Sequence, residues 1–294
     1  MKSNNKPLTL SIVIPAYNEE RHIKKCLDSI ENQTIMPDEV ILVDNNCTDK
    51  TVELARKFDF VTIVKEPKQG IANARDKGFS IASGDIIGRI DVDSKLFPDW
   101  VEKVKDSFKD DSISAVTGLG YTTTTPTIRG KHILESFMTT FWSRMYFWIA
   151  TASMRIVVLW GANMAIRASA WEQIKDKVCK DDELVHEDQD LSLVLAGSGF
   201  KAKLIHGLYI RTDGTSYFSW PKFREYFIRS FKSIDYSKKQ GIFNNSDALR
   251  VSWLYSFFFI SLCLIPAIVY VCASYLSYEI PKQFFSLIDY VKKR

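Results

Sequence analysis

The stretch Ile86-Ile87-Gly88-Arg89-Ile90-Asp91-Val92-Asp93-Ser94 places two carboxylates directly after a short apolar run. The run from Ile86 to Ile90 predicts a buried strand, and in an open α/β sheet ligands bind beyond the carboxyl ends of such strands. Two acids this close together repel each other unless a cation or a proton relieves them. Carboxylate oxygens suit Mg²⁺ and Mn²⁺. Asp91 and Asp93 are therefore candidate metal ligands, with a solvated turn as the alternative.

Three further apolar runs precede this stretch, and a helical pattern follows each of them. The runs predict strands at Leu8–Ala16, Val40–Val43 and Val61–Val64. Strands that alternate with helices at this spacing form right-handed βαβ units with parallel pairing. The predicted fold class is therefore α/β, with a Rossmann-like, mostly parallel sheet.

A polar residue or a glycine follows the end of each predicted strand. Asn18 is predicted to cap the first helix, Asp44 ends the second strand, and Gly70 follows the third. Because the carboxyl ends of parallel strands meet at one edge of a sheet, we expect these residues to lie near Asp91 and Asp93. A cap or a turn explains each residue singly but explains the set poorly. This edge is therefore the predicted binding site.

A second group of candidate residues lies beyond Val116, where the alternation ends. Trp160-Gly161-Ala162-Asn163 forms a turn before a short strand, and Glu187 and Asp188 open an apolar helix. Carboxylates at a helix N-terminus are stabilised by the helix dipole. Capping is therefore the alternative to a catalytic role for the acid pair.

Composition indicates an ordinary globular chain with a membrane-facing end. The 294 residues are 46% hydrophobic and 25% charged, enough for one large α/β domain with an appendage. The net charge is −4 over residues 1–200, +6 over 201–250 and +2 over 251–294. A basic segment before an apolar one favours an anionic membrane surface over nucleic acid. The five cysteines show no C-x-x-C spacing, which favours reduced thiols in a cytosolic setting.

The segment Val251–Tyr278 carries no charged residue. It exceeds the roughly 20 apolar residues that cross a bilayer. We expect a transmembrane anchor there, although Pro266 leaves a re-entrant hairpin open. A single crossing is favoured because the uncharged run is nearer one span in length than two.

Residues 8–210 resemble a family-2 inverting glycosyltransferase with a GT-A fold, of the membrane-attached bacterial type. The resemblance rests on Pro15-Ala16-Tyr17-Asn18-Glu19-Glu20, Val43-Asp44-Asn45-Asn46-Cys47-Thr48-Asp49, Gly70-Ile71-Ala72-Asn73-Ala74-Arg75, Asp91-Val92-Asp93, Trp160-Gly161-Ala162-Asn163 and Glu187-Asp188. It implies an enzyme of cell-envelope biogenesis that moves a sugar from a nucleotide-diphosphate donor to a lipid-linked or cell-envelope glycan acceptor. Such an enzyme would be membrane-associated, with its catalytic domain facing the cytoplasm, and would bind no nucleic acid.

The resemblance also implies domains and residue roles. The domains are a GT-A domain (1–210), a basic amphipathic juxtamembrane segment (211–250), the transmembrane or re-entrant segment (251–278) and a basic tail (279–294). The donor nucleotide would be bound by Pro15, Tyr17, Glu19, Asp44, Gly70, Arg75 and Asp91, with Glu19 and Asp44 at the ribose and base. Asp93 would be the direct ligand of Mg²⁺ or Mn²⁺, with Asp91 contacting ribose or metal. Asp188 would be the catalytic base beside Glu187, and Trp160, Gly161 and Asn163 would border the acceptor.

Departures from the family pattern leave alternatives open. Asn45, Asn46 and Cys47 stand where the family commonly has Asp-Gly-Ser, so the nucleotide base stays open. The absence of Gln-x-x-Arg-Trp argues against a processive polysaccharide synthase. A nucleotidyltransferase would normally carry a Gly-rich, basic loop after the first strand, and Pro15–Glu20 offers none. A catalytically inactive nucleotide-binding scaffold is the third reading, against which the intact acids argue.

Overall fold

A computed structural model describes residues 7–123, 140–141, 144, 147–148, 151, 154–213 and 220–242. The chain divides into two compact units, Met1–Thr151 with Arg155–Asn244, and Ala152–Met154 with Asn245–Arg294. Only Met154 of the second unit is described, so the account below concerns the first unit. The predicted membrane segment 251–278 and the basic tail 279–294 lie outside the described residues.

Strands and helices alternate through the first part of the described chain, as the apolar runs predict. In chain order the elements are β1 (Leu10–Ala16), α1 (Ile23–Glu31), β2 (Glu39–Asp44), α2 (Thr51–Ala55), β3 (Val61–Lys65), α3 (Ile71–Ile81), β4 (Ile86–Arg89), β5 (Ser94–Leu96), α4 (Trp100–Ser107), β6 (Ala115–Thr123), β7 (Met164–Arg167), α5 (Ala168–Ile174), α6 (Glu187–Gly197), β8 (Ala202–Asp213) and α7 (Trp220–Lys239). All four predicted strands are confirmed.

The strands form one sheet in the order β3-β2-β1-β4-β7-β6-β8-β5. β3, β2, β1 and β4 pair in parallel. β7 is antiparallel to both β4 and β6, β8 is parallel to β6, and β5 is antiparallel to β8. The predicted α/β class is confirmed, but the sheet is mixed. The strand–helix alternation that predicts parallel pairing ends near Val116, and beyond it the strands pair in both directions.

The core lies on both faces of the sheet. Leu10, Ile12 and Ile14 alternate to one face, where the apolar sides of α1 and α4 cover them. Val13 points to the other face, where residues of α3, α5 and α6 pack. Both faces are buried, which explains why β1 and β2 are nearly continuous apolar runs without an exposed, polar side.

The register of the parallel strands brings their carboxyl ends to one edge. Ala16 lies opposite Asp44, and Arg89 lies opposite Val13. The loops that follow β1, β2, β3 and β4 therefore leave the sheet together. The prediction that Asn18 caps the first helix is wrong, because α1 begins only at Ile23. Asn18 instead adopts a left-handed conformation with φ of 55°.

The basic segment after residue 210 continues the α/β unit. β8 runs to Asp213, and α7 then packs on α6, where the His186 backbone N–H donates to the buried Ser233 Oγ at 2.7 Å. No helix in the described part of the chain combines the length and the apolar character needed to cross a bilayer.

Candidate functional site

The loops after β1, β2 and β3 are tied into one surface by two asparagines. Asn18 Oδ1 accepts a hydrogen bond from the Thr48 backbone N–H at 2.8 Å. Asn45 Nδ2 donates to the carbonyls of Glu66 and Lys68 at 2.9 and 2.8 Å, and its Oδ1 accepts from the Gly70 N–H at 2.9 Å. The predicted nucleoside-binding loops are therefore adjacent, and they are held by the exposed side-chain amide of Asn18 and the buried one of Asn45.

Four residues predicted to bind the donor nucleotide are distributed around this surface. Tyr17 is 53% exposed, so its ring is free to stack against a planar group. Asp44 Oδ1 accepts from the Cys47 N–H at 2.8 Å, which orients its carboxylate within the turn. Glu19 hydrogen-bonds His22, and Pro15 lies within β1 opposite Val43. The structure brings these residues together at the sheet edge.

Gly70 is the N-cap residue immediately before α3 and has φ of 132°, a conformation that favours glycine. A Cβ there would lie 2.7 Å from Asp182 Oδ2, so close packing also excludes a side chain. The Asp182 carboxylate accepts from the Ala72 N–H at 3.2 Å. The N-terminus of α3 is therefore neutralised by the protein's own acid, a contact between residues 110 positions apart that the sequence did not reveal.

Asp91 and Asp93 follow β4 at the centre of the edge. Asp91 Oδ1 accepts from Arg89 Nη2 at 3.1 Å, and Asp93 Oδ2 accepts from Thr212 Oγ1 at 3.0 Å. Burial raises the pKa of Asp91. Burial and the charge of Asp91 raise the pKa of Asp93 to about 7, against the lowering effect of the Thr212 hydrogen bond. The two carboxylates are thus short of positive charge.

This donor set suits a divalent cation that is completed by a substrate. Within the described residues, no three acid, histidine or cysteine side chains form a cluster able to enclose a metal ion. Mg²⁺ usually takes only one or two carboxylates and completes its shell with water and substrate phosphates. Asp91 and Asp93, with raised pKa values and hard oxygen ligands, fit that arrangement.

His22 joins the first loop to the end of β8. Its Nδ1 lies 2.8 Å from Glu19 Oε2 and its Nε2 lies 3.2 Å from Asp213 Oδ2. Burial lowers the pKa of His22, but the hydrogen bonds and charges of Glu19 and Asp213 outweigh it, and the net pKa is raised. This bridge places an acid of β8 beside the predicted ribose contact.

Glu187 and Asp188 open α6 and meet a pair of buried arginines. Glu187 accepts from Arg75 Nη1 at 2.7 Å and also from Arg89 Nη1. Burial opposes ionisation of Glu187, but the two guanidinium groups prevail and hold its pKa well below the usual value. Glu187 is therefore an ionised structural acid.

Asp188 has a different environment. Its Oδ1 accepts from Arg89 Nη1 at 2.9 Å and its Oδ2 accepts from the Gly161 N–H at 2.8 Å. Burial and the charge of Glu187 raise the pKa of Asp188 well above the usual value, although Arg89 opposes this. A carboxylate with a raised pKa and fixed orientation is suited to accept a proton. Any side chain at Gly161 would collide with Asp188 and Arg89.

Two predicted ligand-binding residues lie beneath the site. Asn163 is fully buried, where its Oδ1 accepts from Trp100 Nε1 at 2.7 Å and its Nδ2 donates to the Leu208 carbonyl at 2.9 Å. Arg75 is fully buried against Glu187. Their polar atoms serve the protein interior, so neither is placed to contact a ligand directly. Trp160 is half-buried against the core.

Arg89 joins these acids, although no sequence motif indicates a role for it. It lies in the apolar run from Ile86 to Ile90, directly before Asp91. An arginine inside a buried strand requires carboxylate partners, because an isolated buried charge is strongly unfavourable. The arginine in this strand therefore indicates buried carboxylate partners, but it does not identify which acids they are.

Asp190 provides a pH-dependent test of this interior. It is fully buried, its Oδ2 accepts from the Cys179 N–H at 2.7 Å, and its Oδ1 has no hydrogen-bond partner among the described residues. Burial raises its pKa to about 6. The folded state therefore binds the extra proton, and the free energy of unfolding falls as pH rises from about 4 through about 6.

We expect Asp190→Asn to remove this fall, because the amide keeps the acceptor for Cys179 without ionising. The variant should match the wild type near pH 4 and exceed its free energy of unfolding by about 2–3 kcal/mol at pH 8. Urea denaturation at both pH values measures this. If the free energy of unfolding of the variant depends on pH as that of the wild type does, Asp190 is not the group with the raised pKa.

Comparison with known proteins places this geometry in context. Residues 11–174, more than half of the chain, match the family described as Glycosyl transferase family 2. Hyaluronan synthase of Pasteurella multocida is 40% identical over 118 residues, which cover 38% of this chain and 12% of that protein. Glycosyltransferase AglE of Haloferax volcanii is 32% identical over 118 residues, covering 38% and 36% respectively. The matched segment thus spans much less than two thirds of either relative.

A solved structure shares the fold. The mannosyltransferase PcManGT from Pyrobaculum calidifontis, in complex with GDP-Man and Mn²⁺, superposes with a TM-score of 0.55. The superposition covers 85% of this chain and 74% of that one, at 21% identity. At this identity the likeness concerns the GT-A architecture.

Proposed function

The chain belongs to glycosyl transferase family 2, and from this premise we propose that it transfers a sugar from a nucleoside-diphosphate donor to an acceptor hydroxyl. The anomeric centre inverts, a divalent metal assists, and Asp188 is the base. The acceptor is a lipid-linked or cell-envelope glycan. The finer points of this proposal rest on the geometry of the described site and on the sequence.

One observation carries the proposal. Asp91 follows β4, and Asp188 lies in the first turn of α6. Both accept hydrogen bonds from the same Arg89 guanidinium, at 3.1 and 2.9 Å respectively. The carboxylate that would face the donor diphosphate is therefore one side chain away from the candidate base. A sugar joined to that diphosphate would have its anomeric carbon within reach of a hydroxyl activated by Asp188.

The residues then have distinct tasks. Asp188 accepts the proton of the acceptor hydroxyl. At the same time the hydroxyl oxygen bonds to the anomeric carbon, and the bond between that carbon and the diphosphate oxygen breaks. Glu187 stays ionised between its arginines and fixes Arg89. Asp93 and Asp91 would hold a divalent cation, whose charge would offset that of the departing diphosphate. Tyr17, Glu19 and Asp44 face the nucleoside.

Support for the donor class comes from the architecture shared with PcManGT, which was solved with GDP-Man and Mn²⁺. Support for a glycan acceptor comes from relatives named hyaluronan synthase and chondroitin synthase. The nucleotide base and the sugar stay open, since Asn45 is used in holding the loop before Gly70.

The testing experiment is a screen of nucleotide sugars by thermal unfolding, with Mn²⁺ and with EDTA. At 100 times the dissociation constant the correct donor should raise Tm by roughly 5–8 °C with the metal. Turnover with lipid-linked acceptors should then release the nucleoside diphosphate. Release of pyrophosphate from a nucleoside triphosphate and a sugar phosphate would instead indicate a nucleotidyltransferase, and tight binding without any turnover a scaffold.

Membrane attachment through Val251–Tyr278, with the catalytic domain on the cytoplasmic face, is proposed on the sequence alone. The uncharged run follows a segment with net charge +6 over residues 201–250, which favours an anionic lipid surface. Complete extraction of the full chain from membranes by carbonate would contradict an integral anchor.

A further inference from the structure

Arg89 serves three carboxylates that belong to two parts of the site. Its side chain is 1% exposed. Nη1 donates to Glu187 Oε1 and to Asp188 Oδ1, the latter at 2.9 Å, and Nη2 donates to Asp91 Oδ1 at 3.1 Å. A planar guanidinium presents its donors in a fixed fork, so these contacts fix the relative positions of all three acids.

The Arg89 guanidinium has different effects on the two acids that it joins, because it orients Asp188 and lowers the affinity of Asp91 for a cation. At Asp188 it is the side-chain contact that, with the Gly161 N–H, sets the orientation of the carboxylate. At Asp91 it already neutralises part of the negative charge that would attract a divalent cation. Two positive groups near one carboxylate repel each other. Arg89 must therefore weaken metal binding while it aligns the base.

We propose that Arg89 is a positioning residue that couples the donor end of the site to the base. This inference rests on the proposed function. The positive charge of Arg89 tempers the affinity of Asp91 and Asp93 for the metal until the donor diphosphate adds its own negative charge. Before and after the donor binds, the Arg89 guanidinium keeps the Asp188 carboxylate in place beside the Gly161 N–H.

Arg75 is a matched control within the same cluster. It is also fully buried and also contacts Glu187, at 2.7 Å, but its other side-chain partner in an ion pair is Asp76. No contact in the described structure joins Arg75 to Asp188 or Asp91. A change at Arg75 therefore disturbs the packing and charge around Glu187 without touching the two ends that Arg89 connects.

The experiment compares Arg89→Gln, Arg89→Lys and Arg75→Lys in the full chain. Affinity for Mn²⁺ alone is measured by the electron paramagnetic resonance signal of the free ion, and turnover by release of the nucleoside diphosphate. Arg89→Gln should bind Mn²⁺ about 10-fold more tightly, since a like charge is removed. Its kcat should fall about 10²-fold, because misplaced catalytic groups lose that much.

Arg89→Lys separates the two effects and is the safer variant for folding. It keeps the charge but loses the fork, so Mn²⁺ affinity should stay within about 3-fold of wild type while kcat falls at least about 10-fold with little change in donor KM. Arg75→Lys should lower kcat by less than Arg89→Lys does, because Arg75 contacts neither Asp188 nor Asp91, and it should leave Mn²⁺ affinity within about 3-fold of wild type.

Two results would overturn the inference. The first is weaker Mn²⁺ binding in Arg89→Gln than in the wild type. The second is an equal loss of kcat in Arg75→Lys and Arg89→Lys, which is expected if both arginines merely stabilise the fold. If Arg89→Gln does not fold, the comparison of the two lysine variants still decides. A wild-type chain that neither binds Mn²⁺ nor turns over a donor overturns the proposed function, and this inference with it.

Discussion

Asp188→Asn should lower turnover by roughly 10²–10⁴-fold, the usual contribution of a general base. The amide keeps the shape of the side chain and the hydrogen bond from the Gly161 N–H, but it cannot accept the acceptor's proton. Donor and Mn²⁺ binding should be nearly unchanged. Single-turnover assays with saturating donor, together with isothermal titration of the donor, separate the two quantities.

The neighbouring acid supplies the control for this prediction. Glu187→Gln removes a charge held between Arg75 and Arg89, so we expect a loss of stability rather than a selective loss of turnover. If Glu187→Gln abolishes turnover in a folded protein and Asp188→Asn does not, the base has been assigned one residue too late in the chain.

Because the pKa of Asp188 is raised, the turnover rate of the enzyme should also depend on pH in a defined direction. The base must be ionised, so kcat should fall as pH falls through the pKa of the bound enzyme. The residual activity of Asp188→Asn should lack this descending limb.

Asp93→Ala should abolish the metal dependence of donor binding and reduce turnover by at least roughly 10³-fold, since a bound metal contributes several kcal/mol to charge stabilisation in the transition state. Asp93 is the acid whose pKa rises to about 7 through burial and the charge of Asp91, so it has most to gain from a cation. Thermal unfolding with donor, with and without Mn²⁺, measures the loss.

Asp106→Ala makes the same chemical change at a surface ion pair with Lys109, both side chains being more than half exposed. It should leave metal and donor binding intact, because exposed pairs contribute little. Donor affinity that ignores EDTA in the wild type and ignores Asp93→Ala would refute a metal-held diphosphate.

The first four strands and the common edge of their loops were predictable, because they depend on patterns that are local in the chain. A run such as Leu10–Ala16 must be buried on both faces, and a polar residue must follow where the run ends. These patterns predict the positions of Asp44, Gly70, Asp91 and Asp93 at the edge of the sheet. Asn18 does not cap α1, because its side-chain oxygen accepts a hydrogen bond from the Thr48 backbone N–H, 30 positions along the chain.

The roles of the polar residues could not be read in the same way, since they depend on burial. Asn163 and Arg75 stand in motifs that suggest ligand contact, yet both are fully buried among protein partners. Gly161 was expected beside the acceptor, and the structure shows that its N–H orients Asp188. A motif identifies residues that matter without distinguishing those that touch a ligand from those that hold them.

The sequence by itself determined the α/β class, the family resemblance and the acids at the edge of the sheet, because strand periodicity and strand ends are properties of neighbouring residues. Only the tertiary structure decided which acid of the pair Glu187 and Asp188 is held ionised and which has a raised pKa. That difference is set by Arg75 and Arg89, which lie 112 and 98 positions from Glu187 in the chain. A pKa depends on burial and on the charges nearby in space, and folding alone brings these residues together.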